Sequence, residues 1–104
     1  MAEKKVTVVA KIKAKPGMED KVRETLLNLV GPTRKEAGCI NYDLHVSIDD
    51  KSLFMFYENW TSKKDLDEHL AMPYLQDFIG KSDDLLAEPL EVVLWEMISE
   101  PAKP

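Results

Sequence analysis

The chain has 104 residues, which corresponds to a single domain of ordinary size. Hydrophobic residues make up 44% and charged residues 32%, a composition typical of globular rather than disordered proteins. The formal net charge of -5 at pH 7 disfavours a general nucleic-acid binder, because an acidic chain repels phosphate backbones. Neither a signal-peptide core nor a membrane-length apolar run is present, and Cys39 is the single cysteine. We therefore expect a cytoplasmic protein that binds neither nucleic acid nor membrane.

The first part of the chain predicts a strand, a turn and a helix. Residues 5–13 alternate apolar and polar side chains, which is typical of a strand, and Pro16 with Gly17 favours a turn. From Met18 to about residue 36, apolar residues recur at steps of three and four, which predicts an amphipathic helix. We expect Pro32 to kink this helix or to end its regular part early, and Gly38 to lie just past its end.

The second part predicts a hairpin, a second helical segment and a last strand. Residues 39–48 and 53–60 read as two strands joined by turn residues at 49–52. Ser62 and Asp65 have the spacing of a capping box, so a helix begins there. Pro73 interrupts it, and a further turn or two runs to Gly80. Residues 90–98 predict the last strand, and residues 99–104 a loose tail.

The order βαββαβ predicts an α+β, ferredoxin-like fold in one domain over residues 1–104, with its core at about 5–98. In this fold a four-stranded antiparallel sheet carries both helices on one face. The last strand nevertheless has bulky apolar residues on both faces, with Val93 and Trp95 opposite Val92 and Leu94. We therefore predict a homodimer in which two sheets face one another.

The hairpin also predicts a polar and aromatic surface. A turn at 49–52 pairs Tyr42 with Asn59, and Asp43 with Glu58. On that register one face carries a mixed set of side chains: Asn41, Asp43, His45, Phe54, Phe56, Glu58 and Trp60. Buried polar groups need partners, so this mixture favours the wall of a ligand pocket over a plain core.

The second helix adds an imidazole to this surface. Leu66, His69 and Leu70 share one helical face, which directs His69 towards the sheet as a possible base. Each aromatic or imidazole residue also has a structural interpretation: His69 as a hydrogen-bonded core residue, Trp60 as core packing, and His45 as an exposed or interface residue. Cys39, His45 and His69 lack the spacing of a zinc site, and no nucleotide-binding or GxSxG motif is present. We expect neither a metal nor a cofactor.

Two segments, "GCINYDLH" and "FYENWTSKKDLDEHLAMPYLQDF", resemble the antibiotic biosynthesis monooxygenase (ABM) family. Members typically show G-C-x-x-Y-x-L-H followed by E-x-W-x-S-x-x-x-L-x-x-H-L-x-x-P. The matching positions are Gly38, Cys39, Tyr42, Leu44, His45, Glu58, Trp60, Ser62, Leu66, His69, Leu70 and Pro73. The resemblance extends from about residue 5 to residue 98, and "KPG" at 15–17 resembles the first turn of the family.

The resemblance implies a dimeric α+β barrel that oxidises anthrones, quinols and related phenolic rings with dioxygen, without metal or flavin. By this resemblance His69 is the catalytic acid or base and Trp60 a wall of the substrate pocket. Weaker candidates for orienting the substrate ring are Asn41, Tyr42, His45 and Tyr74. Haem-degrading relatives carry an asparagine in the first strand, where this chain has Ala10, and this difference weakens a haem-binding interpretation.

Three hypotheses follow. The first is a cofactor-independent monooxygenase of a quinol, anthrone or related phenolic small molecule. The second is an isomerase of a small phosphorylated or hydroxy-carbonyl compound, which needs a cation such as Lys11, Arg34 or Lys81 near the pocket. The third is a non-catalytic dimeric ligand-binding module. RNA-recognition domains share the element order, but the acidic charge disfavours them.

Overall fold

The computed structural model describes residues 4–101, which form four strands and four helices. In chain order these are β1 (Val6–Lys13), α1 (Glu19–Arg34), β2 (Cys39–Val46), β3 (Leu53–Trp60), α2 (Lys63–Leu70), α3 (Pro73–Gly80), α4 (Ser82–Leu85) and β4 (Glu91–Trp95). The predicted tail at 99–104 lies partly outside the described residues.

The four strands form one antiparallel sheet in the order β2-β3-β1-β4. This order, with the helices on one face, confirms the predicted ferredoxin-like α+β fold. Alternate residues of β1 point into the core, where Val8 and Ile12 are each 1% exposed. Leu26 of α1 and Leu66 of α2 are both fully buried. The core therefore lies between the sheet and its helices, and none of the helices within residues 4–101 covers the other face of the sheet.

Helix α1 follows its predicted apolar stripe but not its predicted interruption. Val22, Leu26 and Leu29 are buried as expected. The helix continues through Pro32 and ends at Arg34, two residues later. Pro32 has no N–H to donate to the backbone carbonyl one turn earlier. Because Pro32 lies in the exposed last turn of the helix, water can donate to that carbonyl instead, and the loss costs little.

The second helical segment divides at Pro73, and its second part ends at Gly80, both as predicted. The Ser62 hydroxyl accepts a hydrogen bond from the Asp65 N–H at 3.1 Å, which confirms the N-cap of α2. Met72 has an extended backbone, and α3 then begins at Pro73 and runs for eight residues. Helix α4 was not predicted, and β4 is shorter than the predicted strand at 90–98.

The hairpin pairs its residues one position away from the predicted register. Tyr42 lies opposite Glu58, not Asn59. The turn is the physical reason, because it begins at Ser47 rather than at residue 49. The Ser47 hydroxyl accepts hydrogen bonds from the N–H groups of Asp49 and Asp50, each at 3.2 Å. Because the Ser47 hydroxyl bonds these two N–H groups, the chain turns there and β2 ends at Val46, two residues before the predicted end. The predicted pairing is therefore wrong.

This slip changes the face on which each β2 side chain lies. Because side chains alternate along a strand, a shift of one residue moves all of them to the opposite side of the sheet. Phe54, Phe56, Glu58 and Trp60 share the core face, as predicted, but their β2 neighbours there are Tyr42 and Leu44. Asn41, Asp43 and His45 lie on the opposite face, hereafter the open face of the sheet, because no helix covers it.

Candidate active site

The imidazole of His69 is buried and has a carboxylate partner. Only 2% of its surface is exposed, and its Nδ1 lies 2.9 Å from Oε2 of Glu36, whose side chain is 8% exposed. The hydroxyl of Tyr74 donates a hydrogen bond to the same oxygen. Since Oε2 accepts from both neighbours, we assign the imidazole proton to Nδ1. Nε2 has no hydrogen-bond partner within residues 4–101 and remains available to a ligand.

Aromatic rings hold the imidazole in position. The indole of Trp60 lies 4.5 Å from the His69 ring, centroid to centroid, at an interplanar angle of 31°. Tyr42 meets the same ring edge-on at 5.4 Å and stacks on Phe56 at 4.3 Å. Both Trp60 and Tyr42 are at most 1% exposed. A ring packed in this way keeps one orientation, which a positioned acid or base requires.

A small cavity lies beside His69, between the sheet and helices α2 and α3. Its volume is about 40 Å³. Ligand sites for small molecules usually have volumes of about 300–1,000 Å³, whereas one water needs about 10–15 Å³. The cavity as it stands therefore holds a few water-sized molecules and no aromatic ring. Its titratable lining consists of His69, Glu58 and Tyr42, and its remaining lining is apolar: Val8, Ala10, Leu29, Phe56, Leu66, Leu70, Leu75, Phe78, Ile79, Leu90 and Val92.

The indole of Trp60 does not line this cavity. Trp60 is 0% exposed and fills the space between His69 and the carboxyl group of Glu58. From the family resemblance, Trp60 was expected to form a wall of the substrate pocket. In the structure its contact with the cavity is indirect, through the two residues that it supports.

Glu58 is the second buried acid of the site. Its Oε1 accepts a hydrogen bond from Trp60 Nε1 at 2.9 Å, and the residue is 4% exposed. Burial raises the pKa of the Glu58 carboxyl from 4.5 to about 7, since a charge is poorly solvated there, although the bond from Trp60 opposes this effect. The negative charge of Glu36 raises the pKa further. Both forms of Glu58 are therefore populated near neutral pH.

The hydroxyls of Tyr42 and Tyr74 and the thiol of Cys39 keep their protons at neutral pH. Burial raises the pKa of the Tyr42 hydroxyl well above its usual value, and the charge of Glu58 adds to this effect. Burial and the bond to Glu36 likewise raise the pKa of Tyr74. Burial, followed by the charge of Glu36, raises the pKa of the Cys39 thiol to about 11. These groups are hydrogen-bond donors or neutral packing at pH 7, so none of them is a base or a nucleophile there.

The structure brings four of the six predicted site residues together. His69, Trp60, Tyr42 and Tyr74 form one cluster with Glu36. Asn41 and His45 lie elsewhere, on the open face.

Asn41 and His45 have polar partners of their own on that face. Nδ2 of Asn41 donates to the Tyr57 carbonyl at 3.2 Å, and Oδ1 of Asn41 accepts from Asn59 at 2.9 Å. Nδ1 of His45 lies 3.1 Å from the Asp43 carbonyl oxygen, and its ring is exposed. The one-residue change of register explains why these two side chains are separated from His69.

Sequence reasoning did not identify the two carboxyl groups of the site. Glu36 lies past the end of α1, 33 residues before His69, and no local pattern marks it as buried. Glu58 had a usable signal, because it precedes Trp60 by two residues on the strand and so shares its face. It was assigned to that face, but not to the group of catalytic residues.

The described residues form neither a metal site nor a membrane-crossing helix. Within residues 4–101, no group of three or more His, Cys, Asp or Glu side chains has a geometry suited to a metal ion. Over the same range, no helix combines the length and the apolar character that a membrane crossing requires.

Comparison with known proteins agrees with the resemblance noted in the sequence. A sequence model of the antibiotic biosynthesis monooxygenase family matches residues 5–81. The chain belongs to this family. It is 33% identical over 95 residues to a Mycobacterium tuberculosis protein named "Putative monooxygenase Rv0793", covering 91% of this chain and 93% of that protein. It is 32% identical to protein sll1783 of Synechocystis over 92% of this chain, but spans only 65% of that relative's length.

Solved structures of this ABM domain's relatives have the same fold. The crystal structure of PA3566 from Pseudomonas aeruginosa matches with a TM-score of 0.89 at 29% identity, over 95% of this chain and 99% of that one. The structure of Rv0793 matches with a TM-score of 0.88 at 30% identity, over 94% and 99% of the two chains. Family membership and the relatives' names support a monooxygenase-like function.

Proposed function

We propose that the protein is a cofactor-independent monooxygenase that oxidises a quinol, an anthrone or a related phenolic ring with dioxygen. The observation that carries the proposal is the buried pair of His69 and Glu36 beside an apolar cavity. A buried imidazole with one nitrogen held by a carboxylate is a base at its other nitrogen. Membership of the ABM family and the name of the mycobacterial relative support the same reaction class.

The proposed reaction begins with loss of a proton from the substrate. Nε2 of His69 accepts the phenolic proton, and the carboxylate of Glu36 stabilises the resulting imidazolium through Nδ1. The phenolic anion is rich in electrons and reduces dioxygen directly. In the case of an anthrone, the ring methylene becomes a carbonyl with one oxygen atom, and the other oxygen atom leaves as water. The apolar lining excludes competing water from the anion.

Binding of an aromatic ring requires the cavity to open. Its 40 Å³ is sufficient for dioxygen, but not for a ring. The side chains at its outer edge are the least buried of its lining: Ile79 is 37% and Val92 is 38% exposed, and Leu90 is half-buried. We propose that these three side chains move outwards when the ring enters, because each has solvent beside it into which it can move.

The experiment that tests this function is dioxygen uptake with a panel of quinols, including reduced menadione, measured against the autoxidation rate. We expect uptake by the purified protein above that rate. Loss of a general base usually costs about 10²–10⁴-fold in rate, so His69→Gln should lower uptake by at least about 100-fold.

The matched control is His45→Gln, because His45 is the other histidine of the chain and lies on the open face. We expect this variant to retain the uptake rate. Uptake at the autoxidation rate with every quinol would contradict the proposal, and so would equal rates for the two variants. Ring binding without uptake would instead indicate the ligand-binding module.

The isomerase hypothesis gains no support from the site. Arg34 pairs with Asp43 at 3.0 Å, and Lys81 pairs with Asp77 at 3.1 Å. Lys11 lies on the open face, next to Met55 in the register of β1 and β3. None of these three cations lines the cavity beside His69, where the phosphate of a substrate would need one.

We also propose that the protein is a cytoplasmic homodimer. Val93 and Trp95 of β4 lie beside Val9 and Thr7 of β1 on the open face, and they are 39% and 58% exposed. Contiguous exposed apolar surface of this kind marks an interaction site, and a second copy of the same face is the simplest partner for it. The free thiol of Cys39 supports a reducing compartment.

A further inference from the structure

Glu58 shares the cavity with His69 but has no part in the proton abstraction described above. It lies opposite Tyr42 on β2 and Val8 on β1, and its side chain points to the core. Trp60 Nε1 holds one carboxyl oxygen, Oε1. The other oxygen, Oε2, has no hydrogen-bond partner within residues 4–101, and Glu58 lines the cavity. A carboxyl oxygen without a partner, on a residue that lines a cavity, is a position where a ligand atom can be bound.

We propose that Glu58, as a neutral carboxylic acid, donates a hydrogen bond to an oxygen atom of the bound ring and passes its proton to the peroxide formed there. The inference rests on the proposed monooxygenase function. It gives the site a base and an acid on different elements, with His69 on α2 and Glu58 on β3.

The proton balance of the reaction closes with Glu58 as this acid. For an anthrone, His69 takes one proton, the ring anion gives electrons to dioxygen, and a carbon–oxygen bond forms to give a peroxide anion. Glu58 protonates its terminal oxygen. The Glu58 carboxylate then removes the remaining hydrogen of that carbon as a proton while the O–O bond breaks and the carbonyl forms. The departing hydroxide takes the proton from His69 and leaves as water, so both residues return to their starting states.

The groups around Glu58 favour it as the proton donor. Its titratable neighbours are Tyr42 on β2, His69 on α2 and Glu36 beyond α1, while β1, β4 and α3 face the cavity with apolar side chains. The pKa of Tyr42 is raised, so this hydroxyl retains its proton at neutral pH. Glu58 has a pKa raised to about 7, and a group whose pKa is close to the working pH transfers protons most efficiently.

The first test is the binding of menadione, a quinone of the proposed class, by isothermal titration calorimetry between pH 5 and pH 9. The neutral acid donates to a quinone oxygen, whereas the carboxylate repels it. We expect the affinity of the wild-type protein to fall about tenfold across a midpoint near pH 7, the pKa of Glu58. E58Q keeps a donor and an acceptor but does not titrate, so its affinity should stay constant over this range. The same series on H69Q, which lacks the imidazole of the site, should retain the pH dependence.

The results separate this inference from the proposed function. A pH dependence that is the same in E58Q and in the wild type would overturn the inference, and so would a failure of menadione to bind to the folded wild-type protein.

Dioxygen uptake is measured on the same proteins. We expect E58Q to oxidise the quinol about 100-fold more slowly than the wild type, and its rate should no longer decline above pH 7. E58D should regain part of the rate and part of this pH dependence. Quinol oxidation that is unchanged in E58Q would overturn the inference while the monooxygenase function stands. Pronounced pH dependence of menadione binding without any uptake would overturn the monooxygenase function and leave Glu58 as the ligand's hydrogen-bond donor.

Discussion

At the residue scale, Glu58 couples the stability of the fold to pH. Its pKa is about 7 when buried and 4.5 for the exposed side chain, so the folded protein binds more protons than the unfolded chain between these values. The contribution of Glu58 to the free energy of unfolding then falls as the pH rises from about 4.5 to 7. Each unit of pKa difference corresponds to about 1.4 kcal/mol, which gives an upper value of about 3 kcal/mol.

We therefore expect the wild-type protein to lose more stability than Glu58→Gln between pH 5 and pH 8. The measurement is urea denaturation of both proteins at several pH values. The difference between their two profiles removes the contribution of the other titrating groups, since these are common to both proteins. Parallel profiles would show that Glu58 does not titrate in this range.

The residues of the site also differ in how far the sequence revealed them. His69 was assigned to the buried face of its helix from helical spacing alone, and the structure confirms that it is buried. Glu36 gave no such signal, because its burial depends on contacts with residues more than 30 positions away in the chain. Helical spacing determines a side chain's direction, but only packing determines its partner.

At the element scale, the contact between the start of α2 and the segment before β2 is unusually close. Gly38 is buried, and its carbonyl accepts a hydrogen bond from the N–H of Thr61 at 2.9 Å. A Cβ atom at residue 38 would overlap Cβ and Cγ of Asp65. The N–H of Asp65 donates the hydrogen bond to the N-cap residue Ser62, so the overlap falls in the first turn of α2. Glycine was predicted here as the stop of α1, but the structure gives it a different role, which is to let α2 approach.

We expect Gly38→Ala to lower the free energy of unfolding by about 1–3 kcal/mol, because the first turn of α2 must move to relieve the overlap. Gly80→Ala is the matched control. Gly80 is the last residue of α3, and an added Cβ there meets no atom within 4 Å outside its chain neighbours and its own helix, so the variant should gain up to about 1 kcal/mol from the better helix propensity of alanine. Chemical denaturation of the two variants measures both effects. Equal stability of the two would contradict the close approach.

The register of the hairpin is the other result at this scale. Strand positions were predicted to within about two residues, yet the faces of β2 were exchanged because the turn begins at Ser47. At its other end, β2 begins with a bulge between Cys39 and Asn41. Alternation identifies a strand but does not determine its pairing, which depends on the geometry of the turn and on irregularities such as this one.

At the scale of the whole molecule, the open face and β4 form the surface through which we propose that the protein dimerises. Every residue of β4 is exposed in the single chain. The largest exposed apolar side chain of the strand is Trp95, at 58%. Burial of such surface in a second copy is favourable by roughly 25 cal/mol per Å², so the proposed dimer forms through this strand and the sheet beside it.

We expect the protein to sediment at twice the 11.9 kDa of one chain at micromolar concentration. Trp95→Glu should shift it to the monomer, because a carboxylate in the centre of an apolar interface loses its hydration without gaining a partner. Leu27→Glu is the control, since Leu27 is similarly exposed at 53% but lies on α1, away from the open face. A wild-type protein that sediments as a monomer would contradict the proposal, and so would an equal effect of both variants.

Alternation, helical spacing and the Ser62 cap are local properties of the chain, and they were sufficient to predict the order of elements, the ferredoxin-like fold and the burial of His69. The ordered motif residues were sufficient to indicate the family. The pairing of Glu36 with His69, the separation of Asn41 and His45 from the site, and the cavity of about 40 Å³ beside Glu58 were decided by the tertiary structure. The physical reason is that each depends on where distant segments meet and how closely they pack, and a short stretch of sequence contains neither quantity.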